Sequence, residues 1–106
     1  MSEKNYPDNW VVLKNTLGDE TIYKVLGGWS GSFAWGDSWR LNSGIVKVEE
    51  SEKYWTFHGH SGSEYICHKN SYELRMNNGG ICKQILEQFP GAVEMMDKNT
   101  DWANLV

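Results

Sequence analysis

Proline and cysteine are both scarce in this chain, with two of each in 106 residues. Two cysteines cannot build the framework of a disulfide-stapled secreted domain. Neither a CxxC pair nor an HExxH helix is present to mark a zinc site. Ten Lys and Arg stand against fourteen Asp and Glu, for a net charge of −4. The cations are scattered singly, so no basic stripe is available to neutralise the phosphates of duplex nucleic acid. No apolar run approaches the roughly 18 residues of a membrane span. The opening MSEKNYPDNW lacks the apolar core of a secretory signal. These absences predict a cytoplasmic protein with no membrane or duplex partner, in which Cys67 and Cys82 are reduced core residues.

What is abundant is aromatic surface. Aromatic residues make up 13%, including six Trp and five Tyr, within 40% hydrophobic and 23% charged residues. That composition belongs to a folded chain, and the length to a single domain over residues 1–106. The polar ends, 1–9 and 97–106, read as flexible tails, the second carrying Trp102.

Strand signals dominate between them. WVVLK (10–14) and ETIYKVL (20–26) are β-branched runs around a TLGD turn, and SWRL (38–41) is a short strand. IVKVEE (45–50), KYWTFHGH (53–60) and EYICHK (64–69) read as a meander. Turns at Ser51-Glu52 and Ser61-Gly62-Ser63 set Val48 opposite Trp55 and Val46 opposite Phe57, with Tyr65 and Cys67 beside those rings. Ile81, Ile85, Leu86 and Phe89 recur at helical spacing next to Cys82. Asn78 is placed to cap this helix, and Pro90-Gly91 to stop it. AVEMM (92–96) is a final strand. The fold class is α+β: a curled antiparallel sheet of about five or six strands, its closed limit a small open barrel, with one short helix near the C-terminus. An all-β barrel is the alternative.

YKVLGGWSGS (23–32) and YWTFHGHSGS (54–63) echo each other and suggest two similar hairpins. Their GWSGS and GHSGS resemble a nucleophile elbow only superficially. Each ends in Ser, and each lies between strands of a small domain, so turns are expected.

Three features carry functional expectations. The first is GGWSGSFAWGDSW (27–39), longer than an ordinary strand connection and bearing Trp29, Phe33 and Trp35. Such rings anchor protein interfaces or stack on bases and sugars. Residues 25 to 39 hold no Lys or Arg, which favours protein contact over single-stranded nucleic acid. The second is the acidic tip Glu49, Glu50 and Glu52, a surface for a basic partner or simply a solvated hairpin. The third is the meander face carrying His58, His60 and His68 with Glu64. It is a candidate site for zinc or another transition metal, or for acid–base chemistry. A flat sheet face excludes little water, so catalysis is disfavoured and no catalytic residue is assigned.

The expected function is therefore that of a small acidic accessory protein, of adaptor or inhibitor type, which binds another protein without turnover. A ligand or metal site on the histidine face is the alternative. Single-stranded nucleic-acid or glycan binding by the Trp loop is a further one.

Overall fold

The computed structural model describes residues 3–31 and 36–106. The strands are β1 (Lys4–Asn5), β2 (Asn9–Leu17), β3 (Glu20–Trp29), β4 (Ser38–Leu41), β5 (Ile45–Glu50), β6 (Tyr54–Gly59), β7 (Glu64–His68) and β8 (Val93–Met95). One α-helix, α1 (Gly79–Gln88), lies between β7 and β8, and a 3-10 turn at Trp102–Asn104 follows. The protein is α+β, as expected, with mostly antiparallel strands and a single helix near the C-terminus. Its strands divide between two four-stranded sheets, ordered β1-β7-β6-β5 and β4-β3-β2-β8, and among the described strands the β1–β7 pair alone is parallel.

The reason for two sheets lies in β2 and β3. Trp10, Val12 and Val25 face one way, into a core shared with Ile45, Phe57, Tyr65, Cys67 and Trp102. Val11, Leu13 and Leu26 face the other, against Cys82 and half-buried Ile81, Ile85 and Leu86. The layers thus run sheet, sheet, helix, and the middle sheet is buried on both faces. That is why its strands read as continuous apolar runs rather than as alternating ones. The helix covers the back of β2 and β3, while the inner face of the meander is covered by their front.

The meander forms with its expected facing and a shifted pairing. Phe57 lies opposite Tyr65 and Trp55 opposite Cys67, so Tyr65 and Cys67 stand beside those rings as expected, although a three-residue turn at 61–63 would set Phe57 opposite Cys67. Across the other hairpin, Val48 pairs with Phe57 and Glu50 with Trp55. The turn closes through Ser51 N–H donating to Tyr54 O at 2.9 Å, which moves the register by two residues. An even shift keeps each side chain on its face. A bulge between Ile45 and Lys47 then breaks the alternation. Ile45 takes the core position and Val46, expected inside, is 57% exposed.

The two ends of the chain also take part. β1 pairs with β7, and Trp102 is 3% exposed within the inter-sheet core. The helix begins and stops where the sequence sets it. Asn78 sits at its start without a capping bond. Its side chain is turned inward instead, its Oδ1 accepting from Arg75 N–H (2.9 Å) and Asn9 Nδ2 (3.0 Å). Cys67 and Cys82 are free and buried in separate clusters, and burial raises both thiol pKa values. No helix among the described residues is long and apolar enough to cross a membrane.

Candidate functional site

A polar tie joins the two sheets at one end. β4 closes one sheet and β1 the other. Arg40 of β4 reaches across, its Nη1 2.5 Å from Glu3 Oε1 and 2.9 Å from Asn5 Oδ1. Asn5 is anchored in turn through Nδ2 to Glu64 O at 3.3 Å. On one side of this tie lies a groove of about 440 Å³ lined by Lys4, Asn5, Tyr6, Trp29, Trp39 and Arg40, with Ser38. Successive residues of a strand point to opposite faces, so Trp39 and Arg40 bring both faces of this end strand to the groove. Tyr6 is 59% and Trp39 48% exposed, whereas Trp29 is half-buried against the inter-sheet core.

The loop joining β3 to β4 is held at both ends by carboxylates. Ser30 N–H donates to Asp8 Oδ2 (2.8 Å) and Gly31 N–H to Asp37 Oδ1 (2.9 Å). Of the aromatics expected to act from this loop, Trp29 borders the groove, and Phe33 and Trp35 lie outside the described residues. The Ser-Gly-Ser of the first echo falls partly there as well.

The acidic tip lies on β5 and the turn after it, at the edge of the meander sheet. Glu49 Oε1 is 2.5 Å from His58 Nε2 and 3.7 Å from Lys47 Nζ, and Glu50 Oε2 is 2.5 Å from Lys69 Nζ. Lys69 also stands 5.0 Å from the centroid of the Trp55 ring. Glu52 is exposed at the turn. Two of the three carboxylates therefore already face basic side chains. His58 and Lys47 hold the Glu49 carboxyl below its usual value of 4.5. A depressed carboxylate contributes stability that is full above 4.5 and is lost as pH falls through the lower, folded value. Glu49→Gln should accordingly lower the urea midpoint slightly at neutral pH, a small loss because the pair is exposed, and flatten the acid limb of the midpoint against pH curve below 4.5 by the same small amount, the two forms converging in acid. An unchanged acid limb contradicts this assignment.

His58 and His68 share a face but do not meet, and His60 lies beyond the end of β6. His58 is paired with Glu64 and His68 with Tyr54. Four strand residues separate His58 from Tyr54, a distance of about 13 Å. His68 packs edge-on to Tyr54 at 5.3 Å and accepts from Asn70 N–H through Nδ1 at 3.1 Å. His60 sits at the exposed turn, its backbone N–H donating to Gly44 O at 2.8 Å. Among the described residues no group of three His, Cys, Asp or Glu side chains is gathered to hold a metal ion. His58 lies between Glu49 and Glu64, with Nδ1 4.0 Å from the latter.

The residues that line the groove and were missed in sequence are Lys4, Asn5, Tyr6, Trp39 and Arg40. Trp39 and Arg40 carried a readable signal, since SWRL sets a large ring and a cation on opposite faces of a short strand. Lys4, Asn5 and Tyr6 carried none, because only tertiary pairing of β1 brings them to β4. No family model, no curated protein and no solved structure matches the chain.

Proposed function

We propose that the protein is a small cytoplasmic binding module that engages another protein through the Tyr6–Trp29–Trp39 groove, without chemical turnover. One observation carries this reading: two exposed aromatic rings flank a half-buried Trp beside Arg40 at the end of a sheet. Tyr, Trp and Arg are the residue types that dominate interface hot spots, and a rigid ring that is already half-ordered loses little entropy on contact. An end strand also offers its free backbone edge for pairing with an extended segment. Trp29, Phe33 and Trp35 keep their place in the proposal: Trp29 lines the groove at the end of β3, and Phe33 and Trp35 follow it closely in sequence, outside the described residues. Glu49, Glu50 and Glu52 become a secondary contact. Single-stranded nucleic acid is less well served, since among the described residues the groove is lined by just two cations, Lys4 and Arg40, and Arg40 is paired with Glu3.

The test is affinity capture from lysate, with and without nuclease treatment, using two baits, wild type and Tyr6→Ser/Trp39→Ser. Both substituted rings are exposed, so the variant should keep its unfolding midpoint. The reading expects one stoichiometric protein on the wild-type bait and its loss from the variant. Equal capture by both baits rejects the groove, and a partner lost with nuclease treatment rejects direct protein contact.

A further inference from the structure

On the other side of the Arg40 tie lies a second cleft, of about 410 Å³, bordered by Glu3, Arg40, Asn42, Ser43, Ser63 and Tyr65 among others. Its inner end holds an unusual side chain. Asn42 is 3% exposed, and its Oδ1 accepts the Val25 backbone N–H at 2.9 Å while its own backbone N–H donates to Val25 O at 3.0 Å. Because an N–H can only donate, the atom facing Val25 N must be the carboxamide oxygen, which fixes the orientation of the amide. Asn42 Nδ2 is therefore turned away from Val25, and it is buried with no hydrogen-bond partner among the described residues. A buried amide donor left without an acceptor is costly enough to be uncommon in a folded protein.

The surroundings of Nδ2 are polar, and a glycine lets them close in. A Cβ on Gly59 would lie 2.8 Å from Ser63 Oγ, 3.0 Å from Ser43 Oγ and 3.5 Å from Asn42 Nδ2. Gly59 thus lets an amide donor and two hydroxyls converge in a tight cradle over its backbone, which a methyl group would disrupt. Ser43 Oγ is held in position by Ser61, 3.1 Å from its Oγ and 3.0 Å from its backbone N. Towards the mouth stand the exposed Arg40 guanidinium and Glu3 carboxylate, which neutralise each other, while Tyr65 borders the cleft from the buried core. The site therefore offers a fixed donor at its base, hydroxyls that both donate and accept, and no net charge at its rim.

We propose that this cleft is a binding site for a neutral polyhydroxylated compound, a hexose ring, with one ring oxygen or hydroxyl accepting from Asn42 Nδ2 above Gly59. An anion suits the cleft less well, because Glu3 stands at its mouth and Arg40 is already paired. The site is distinct from the protein-contact groove and shares only Asn5 and Arg40 with it. Either can fail without the other.

The experiment follows the Asn42 side-chain amide and the Gly59 backbone amide by ¹H–¹⁵N NMR. Glucose, galactose, mannose and N-acetylglucosamine are titrated separately, with inorganic phosphate as the charged comparison. At least one hexose should move both signals saturably. Ser63→Ala should weaken that binding about tenfold, the loss expected for one buried hydrogen bond. Gly59→Ala should abolish it by filling the cradle. If Gly59→Ala does not fold, Ser63→Ala decides alone, since it deletes one exchangeable hydroxyl and adds no bulk. Unmoved or non-saturating signals with all four sugars overturn the proposal. Saturable movement by phosphate in place of the sugars overturns it too, as does unchanged hexose affinity in Ser63→Ala.

Discussion

Trp102→Ala should lower the stability of the fold by about 3–5 kcal/mol, the usual cost of deleting a buried large aromatic. Trp102 comes from a stretch that looks like a polar tail, DKNTDWANLV, yet its ring centroid stands 5.5 Å from Trp10, 5.4 Å from Tyr72 and 5.9 Å from Phe57. A short 3-10 turn holds it there, with Asn104 N–H donating to Asp101 O (3.1 Å) and Asn104 Nδ2 to Asp101 Oδ2 (2.6 Å). The cluster it completes sits between the sheets. Tyr72 contributes a phenol whose pKa burial pushes up to about 12, with its hydroxyl donating to Met96 O and accepting from Val12 N–H. For a domain whose total stability is on the order of 5–15 kcal/mol, the loss removes a large share of the margin. Urea unfolding measures it. A change below about 1 kcal/mol, as is usual for a surface site, would mean that the last residues are a tail after all.

Asn9→Ala should cost about 3 kcal/mol, since several buried polar groups lose partners at once. Asn9 is 0% exposed, and its Nδ2 lies 3.2 Å from Glu73 O and 3.0 Å from both Asn77 Oδ1 and Asn78 Oδ1. Asn77 Nδ2 returns a bond to Asn9 Oδ1 at 2.7 Å. These contacts fasten the turn that starts α1 onto the first residue of β2. Gly28 permits the approach, because a Cβ there would lie 2.1 Å from Asn77 Oδ1. The helix has only one fully buried residue, Cys82, so this polar clamp carries much of its docking. Circular dichroism with urea unfolding should show the helix loosening at lower denaturant than the sheets. A variant as stable as wild type would contradict the clamp.

The legible parts of the fold were those decided within a few residues of each other. The β2–β3 hairpin and the stop of α1 at Pro90-Gly91 follow from local turn chemistry and periodicity, and they form as expected. The β5–β6 register shifted by two because facing fixes only odd or even pairing, and the Val46 bulge answers to packing against the other sheet. Sequence patterning identified the histidine face but not the distance along it. The groove was the least legible feature, since it depends on Arg40 bridging to Glu3 and Asn5 from the far end of the chain. The orphaned Asn42 amide is of the same kind: an Asn in a turn motif looks ordinary until its oxygen is seen to be committed to Val25.

The measurement that bears most directly on the central claim is the dissociation constant of the captured protein for three forms of the chain: wild type, Tyr6→Ser/Trp39→Ser, and Glu49→Gln/Glu50→Gln/Glu52→Gln. Removal of hot-spot rings costs about 2 kcal/mol or more, so the groove variant should bind at least about thirtyfold more weakly, whereas the acidic-tip variant should change by only a few fold. Wild-type affinity in the groove variant, with its unfolding midpoint unchanged, would contradict the assignment of this surface.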